Sequence, residues 1–307
     1  MMFFYYVNFP DGEKELCLME LRRLFNINLD GKYFFYDEYI DVNRSPYIKY
    51  CIKIDAISES IEDLADIIEK KKIKYDDYKV QYISLIERMD LNKKHKIESL
   101  IGRNIEGEVK IHNPKTKVGV LDIEQKWVAG ELIKNSGKWH EHDEKPVQYC
   151  NSLTARVSRA LVNIATGRNQ NIKMVDPCCG IGTVVLEALS MGIDIKGYDI
   201  NNNVVKGAKN NLKYFGYPDV VSCSDIKDIA EKFDAAIVDL PYGVLSVTTR
   251  EIQDEIIKNT ARIAKRAVFV TLEDMQENIK NVGFEITDEC RLRKGKFIRY
   301  INLCEIS

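Results

Sequence analysis

The stretch Asp176-Pro177-Cys178-Cys179-Gly180-Ile181-Gly182-Thr183 joins an acid, two thiols and a Gly-x-Gly turn directly ahead of an apolar run at helical spacing. Gly180 and Gly182 allow a sharp bend and close approach of backbone to a ligand, and a following helix offers free N–H groups at its start. The third glycine of a dinucleotide fingerprint is replaced by Val185, and Asp176 precedes the loop, so the turn suits a ligand carrying a cationic or amino group better than a pyrophosphate. Asp199, roughly 20 residues on, ends the next apolar run, where an acid can take both hydroxyls of a ribose. Asp225 ends a third, suited to accept from an adenine-type amino group. Each aspartate taken singly is more often a helix cap; three at successive strand ends point to a ligand.

A fourth run ends in Asp239-Leu240-Pro241-Tyr242-Gly243. Proline followed by an aromatic makes a stiff turn that projects the ring. Asp239 and the Leu240 carbonyl can then aim two acceptors at one exocyclic amino group while Tyr242 stacks on the ring bearing it. The competing reading is a strand-ending turn with Tyr242 on the core. Neighbouring Cys178 and Cys179 cannot easily share one tetrahedral metal, and no second Cys/His pair stands at ligand spacing, so they read as small fillers of the turn and no metal is expected.

These residues need a scaffold of short parallel strands. Apolar runs at 172–176, 193–199, 219–224, 233–240 and 266–272 alternate with helical patterns near 183–191, 202–215, 225–231, 251–264 and 273–281, which predicts a parallel sheet with helices on both faces. Residues 283–306 hold two long strands around a basic turn, so the sheet is expected to end in an antiparallel pair. Ahead of this lies an α+β region: strands at 2–8, 32–40, 47–54 and 78–85, amphipathic helices at 15–25 and 61–70, and a Lys-rich helix from about Lys93. Residues 108–133 read as a hairpin turning at Asn113-Pro114-Lys115. The polar, aperiodic 135–145 reads as a linker, with His140 and His142 in it.

With 307 residues the chain exceeds one comfortable core. Its 45% hydrophobic and 30% charged content is that of a globular protein, and no apolar stretch approaches the ~20 residues that span a bilayer. The apolar opening lacks a basic front and reads as a strand, not a signal peptide. Eight cysteines without framework spacing fit reduced thiols and a cytoplasmic setting. A net charge of -2 argues against binding nucleic acid by bulk charge and leaves room for local basic surfaces.

On the residues 176–183, 197–201, 224–226 and 239–243, and on the preceding segment 145–165, the chain resembles Rossmann-fold S-adenosylmethionine-dependent amino-methyltransferases. More closely it resembles THUMP-domain tRNA guanosine N2-methyltransferases, including the archaeal tRNA guanine-10 enzymes; residues 108–120 are similar to the closing strands of a THUMP module. The resemblance implies an α/β catalytic domain with a mostly parallel seven-stranded sheet and a final antiparallel strand, preceded by a ferredoxin-like/THUMP region. It implies an RNA-binding region over 1–138, a linker over 139–148 and a methyltransferase domain over 149–307. S-adenosyl-L-methionine is the implied cofactor, with Tyr149, Asp176, Pro177, Cys178, Gly180, Gly182, Thr183, Asp199, Ile200, Asp225, Ile226 and Asp239 around it. The implied catalytic residues are Asp239, Leu240, Pro241 and Tyr242. RNA, with tRNA foremost, is the implied partner, and Lys93, Lys94, Lys115, Lys117, Arg293, Lys294 and Lys296 are the candidate contacts. Leu240 departs from the family, which has a proline there. Competing readings are an adenine-N6 DNA or other RNA amino-methyltransferase, and a non-catalytic RNA-binding protein with a degenerate site.

Overall fold

The computed structural model describes residues 1–85, 90–149, 152–242, 249–295 and 297–306. The chain opens with strand β1 (Phe3–Val7), helix α1 (Lys14–Phe25), and strands β2 (Tyr33–Tyr36) and β3 (Ile48–Ser58). Helix α2 (Ile61–Lys70), β4 (Lys74–Tyr82), α3 (Leu91–Arg103), β5 (Glu106–Val109), β6 (Thr116–Ile123) and β7 (Lys126–Lys134) follow. Its contacts divide it into two compact units: residues 1–8, 30–42 and 48–136, and residues 9–29, 43–47 and 137–307. The sequence suggested a contiguous first region over 1–138. Instead α1 belongs to the second unit, where it packs on helix α4 (Ala155–Thr166).

In the first unit, seven strands form one sheet in the order β2-β1-β3-β7-β6-β4-β5. One core gathers Leu64, Ala65 and Ile68 of α2, Ile101 of α3, and Tyr78, Val80, Val118 and Val120; another gathers Phe4, Ile52, Leu121, Val128 and Leu132. The expected hairpin at 113–115 is not formed: β5 and β6 both run parallel to β4, one on each side of it. The antiparallel hairpin is β6–β7, turning at Glu124 and Gln125, whose φ angles of 48° and 64° suit a two-residue turn matching the strand twist.

The second unit continues with β8 (Lys173–Asp176), α5 (Thr183–Ser190), β9 (Asp194–Asp199), α6 (Asn202–Tyr214), β10 (Val221–Cys223) and β11 (Phe233–Asp239). Helix α7 (Arg250–Ile263), β12 (Ala264–Thr271), α8 (Gln276–Asn281), β13 (Phe284–Lys294) and β14 (Phe297–Ile306) complete it. The sheet order is β10-β9-β8-β11-β12-β14-β13, with β14 antiparallel to both its neighbours and the other pairs parallel. This is the Rossmann-like arrangement the resemblance implies. Ala236, Val238 and Leu240 meet Ile256, Ile257 and Ile279 of α7 and α8, while the alternate Ala235 and Ile237 are buried too. Burial on both faces is why these strands are unbroken apolar runs. The expected helix at 225–231 is a single 3-10 turn over Ile226–Asp228.

Residues 138–144 are no open linker. They form a 3-10 helix whose Trp139 and His142 are buried, and His142 Nδ1 lies 2.6 Å from Glu187 Oε1 on α5. Arg159 of α4 reaches the other oxygen of Glu187 at 2.8 Å and also bonds Ser190 Oγ and the Asn43 carbonyl. Beside it, Glu20 of α1 accepts from Ser45 Oγ at 2.5 Å and from Asn163 Nδ2 at 2.6 Å.

Candidate active site

Strand order reverses between β8 and β11: successive strands go one way from β8 to β10 and the other way from β11. Ligands of open parallel sheets bind beyond the carboxyl ends of the strands at such a switch point. The two strands that meet there end in Asp176 and Asp239.

Asp176 is buried, and its Oδ1 accepts the Cys178 N–H at 3.2 Å. Burial pushes its carboxyl well above the ordinary range; the Cys178 hydrogen bond opposes this, and the charges of Asp239 and Asp199 add to it. Pro177 follows in the turn. Burial and the nearby carboxylates also raise the Cys178 and Cys179 thiols, which keeps them neutral. Among the described residues no group of three or more His, Cys, Asp and Glu side chains is set to hold a metal ion.

The loop turns at Gly180 (φ 54°) and Gly182 (φ 78°), both in the left-handed region that side chains disfavour. A Cβ on Gly182 would stand 3.1 Å from Ala208 Cβ on α6, whereas one on Gly180 meets nothing within 4 Å. The loop is therefore closed towards α6 and open at Gly180. Thr183 begins α5, and its buried Oγ1 has no hydrogen-bond partner among the described residues.

Asp199 ends β9 and ties the loop down: Oδ2 accepts the Gly180 N–H at 3.0 Å and Oδ1 the Asn201 N–H at 2.8 Å. Ile200 beside it is exposed. Asp225 caps the short 3-10 turn through the Lys227 N–H, with Lys227 Nζ 3.1 Å from its other oxygen. Burial alone would raise its carboxyl, but the Lys227 backbone and ammonium bring it below its usual value. Ile226 turns its side chain into the core, and its carbonyl accepts from Arg262.

Tyr149 is exposed, two residues past Val147. That segment is fixed by Asn211 of α6, which accepts the Val147 N–H and donates to the carbonyls of Val147 and Ile181. Sequence reasoning missed Asn211. The available signal was a polar residue on the buried stripe of Val205, Ala208 and Leu212.

At the other side of the switch point, Asp239 is half-buried and its Oδ1 is fully buried without a hydrogen-bond partner among the described residues. Burial raises its carboxyl to about 7, against the opposing charge of Arg299. Leu240 buries its side chain in the α7–α8 core, and its N–H donates to the Val270 carbonyl at 3.0 Å, a bond a proline could not make. No hydrogen bond among the described residues takes the Leu240 carbonyl. The Pro241 carbonyl accepts from Gln253 Nε2 at 2.9 Å, pinning the turn to α7. The Tyr242 hydroxyl accepts from Arg299 Nη2 at 2.9 Å. Tyr242 is thus half-buried at the corner, not sunk in the core. Arg299 was not foreseen; nothing local in its strand marks it. Gly243 lies outside the described residues.

Four aspartates, a hydrogen-bonding corner and an open loop are therefore brought together. The candidate RNA contacts fall in both units. Lys93 and Lys94 lie on α3, Lys94 3.8 Å from Glu98. Lys115 and Lys117 are exposed beside and on β6, while Arg293 is exposed on β13 in the second unit. The backbone of Lys294 ends β13; Lys296 lies outside the described residues. A cavity of about 540 Å³ lined by Arg23, Arg168, Asp234 and Lys265 opens at the amino ends of the strands, away from the switch point.

Residues 143–276 match the family described as "UPF0020: RMKL-like, methyltransferase domain". Among curated proteins, the chain is 26% identical over 211 residues to the tRNA (guanine(10)-N2)-dimethyltransferase of Methanothermobacter thermautotrophicus, covering 66% of this chain and 62% of that one. It is 32% identical over 174 residues to the protein of the same name from Pyrococcus abyssi, covering 53% of this chain and 52% of that one. The chain thus spans between half and two thirds of the length of these relatives. Among solved structures, TrmN from Thermus thermophilus superposes with a TM-score of 0.50 at 16% identity over 100% of both chains, a likeness of fold. No helix among the described residues is long and apolar enough to cross a membrane.

Proposed function

We infer that the chain, whose residues 143–276 match an RMKL-like methyltransferase domain, is an S-adenosylmethionine-dependent RNA methyltransferase that modifies the exocyclic N2 amino group of a guanosine in tRNA, in the cytoplasm. The observation that carries this reading is the switch-point corner, where Asp239 offers a buried oxygen without a partner among the described residues, next to a glycine loop bordered by carboxylates. The names of the two archaeal relatives support guanine N2 and tRNA as the target.

The residues fit the donor. Open space at Gly180, Thr183 Oγ1, which has no partner among the described residues, and the acids Asp176 and Asp199 make a cradle for a cationic amino-acid and ribose moiety. Asp199 would hold the ribose, Asp225 the adenine edge, and the loop from Asp176 to Thr183 the rest, with Tyr149 and Ile200 at the rim. When bound, the donor supplies an electrophilic methyl group on sulfonium.

Asp239 and the Leu240 carbonyl accept from the target amino group and orient its nitrogen lone pair out of conjugation with the base. Tyr242 stacks on that base, which leaves its helix to reach the corner. As the nitrogen gains the methyl group and the C–S bond breaks, Asp239 takes the released proton. Positioning and exclusion of water supply most of the acceleration. Exposed Lys93, Lys115, Lys117 and Arg293 are the phosphate contacts in this reading, so binding should weaken steeply with salt.

Incubation with labelled S-adenosylmethionine and bulk tRNA, followed by digestion to nucleosides, tests the assignment. Label in N2-methylguanosine is expected. Label absent from RNA and present in DNA adenine in a parallel reaction would overturn it.

A further inference from the structure

The last strand pair carries a cation to the acceptor corner. Arg299 stands on β14, the strand inserted between β12 and β13, and pairs in register with Leu292. Its Nη2 donates to the Tyr242 hydroxyl at 2.9 Å, and its guanidinium carbon lies 5.8 Å from the centre of the Tyr242 ring. Its charge also acts on Asp239. One guanidinium thus bonds the ring proposed to stack on the base and acts through its charge on the carboxylate proposed to accept from it.

We propose that Arg299 is a positioning residue of this corner, bracing the Tyr242 ring where a base would stack and supplying the positive charge that Asp239 faces. The inference rests on the reading of Asp239 as amine acceptor and of Tyr242 as stacking platform.

Three features argue for it. First, the other ionisable groups acting with Asp239 from the β8 side are Asp176 and the Cys178 thiol, one an acid and the other neutral. Two acids at adjoining strand tips repel when both are ionised, and the proton is retained by one of them unless a cation stands close. Among the described residues, Arg299 is the cation acting on Asp239. Second, a planar guanidinium can lie against a ring and donate to its hydroxyl, a combination that the compact ammonium of lysine does not reproduce. Third, Tyr242 follows a turn whose hydrogen bonds, Leu240 N–H to Val270 and Gln253 to Pro241, fix the backbone but not the ring. Arg299 reaches the ring's hydroxyl from a strand that is paired with β12.

The consequence concerns proton affinity. An acceptor must be ionised to receive the amine hydrogen bonds and the released proton. Removing the guanidinium leaves Asp239 facing an acid and a neutral thiol, so it keeps its own proton to higher pH. The acid limb of the pH profile then moves up, which loss of packing alone would not do.

The test compares wild type with Arg299→Met and Arg299→Lys in methyl transfer to tRNA from pH 5.5 to 9, in S-adenosylhomocysteine binding, and in carboxyl-carbon NMR titration of Asp239. Arg299→Met is expected to lower kcat at least about tenfold near pH 7.5 while leaving the S-adenosylhomocysteine Kd within about twofold. Its acid limb and Asp239 midpoint should both rise by about one unit or more. Arg299→Lys should return the limb towards the wild-type position but recover only part of kcat. An Asp239 midpoint that is the same in wild type and Arg299→Met overturns the proposal, as does transfer by Arg299→Met within twofold of wild type. If wild type places no methyl group in RNA, the functional reading fails by itself. The Asp239 midpoints then still decide, since they need no turnover; should Arg299→Met not fold, the Arg299→Lys pair of kcat and midpoint decides.

Discussion

The second unit holds two collections of buried charge that are built on opposite terms. Around α4, Glu187 has Arg159 on one oxygen and His142 on the other, and Glu20 is bonded by Ser45 and Asn163. At the switch point, Asp176 and Asp239 face each other's charge, and Asp239 Oδ1 and Thr183 Oγ1 are buried without a partner among the described residues. Buried polar groups in native proteins are almost always satisfied, so an unsatisfied pair, one at a strand tip and one at the start of α5, beside an open glycine loop asks for a ligand. The first collection is architecture: it ties α1, α4, α5 and the 138–144 turn together. The second has been left incomplete where chemistry is proposed to occur.

Substitutions in the two collections should therefore fail in different ways. Asp239→Ala is expected to lower methyl transfer by about a thousandfold or more while the circular dichroism spectrum and donor binding persist. Wild-type turnover would remove Asp239 from the mechanism. Arg159→Met should do the reverse. It strips the cation from buried Glu187 and costs about 3 kcal/mol of stability, read as a lowered urea midpoint, with near-normal turnover of the molecules that remain folded. A smaller effect is expected from Asp199→Ala, which frees the Gly180 and Asn201 N–H groups and removes the proposed ribose acceptor. Donor Kd should rise by roughly tenfold to a hundredfold, measured by calorimetry, with kcat at saturation reduced far less.

Burial raises a carboxyl in each collection, Glu20 and Asp239 both to about 7, so pH is informative only through a substitution at one of them. Asp239 is raised from 3.8 to about 7 in the folded chain. The native state thus holds its proton more tightly, and stability contributed by this group is present below about 4 and lost as pH rises to about 7. Asp239→Asn lacks that loss, so its melting temperature should gain on wild type across this window and then run parallel. A constant difference would mean that the carboxylate is well solvated. Smallest of all is Leu240→Pro, which restores the proline of the related motif but deletes the bond to Val270. A stability loss of about 1 kcal/mol is expected in urea titrations.

The sequence made the switch-point site largely readable because each parallel strand is a short apolar run that stops at an acid, and the acids and glycines are local signals. The α4 collection was hidden for the opposite reason. Arg159, Asn163 and Glu187 lie in helices whose apolar stripes dominate the pattern, and their partners Glu20, Ser45 and His142 are far off in the chain. His142 looked like part of a linker only because Glu187, its reason for being buried, cannot be inferred from its neighbours. A similar limit misled the reading of 108–133. Asn113-Pro114-Lys115 does mark a change of direction, but turn chemistry does not say which strand comes next, and β4 lies between β5 and β6. The true two-residue turn, Glu124-Gln125, carries neither glycine nor asparagine. Arg299 was likewise out of reach, since its role depends on a residue 57 positions away.

The contrast between the two collections can be read in a single titration. Protein labelled in its side-chain carboxyl carbons is titrated with S-adenosylhomocysteine and followed by NMR. The account predicts that Asp176, Asp199 and Asp239 shift as the ligand saturates, while Glu20 and Glu187 stay where they are. Saturable binding that leaves the three strand-tip carboxyls unmoved would contradict it.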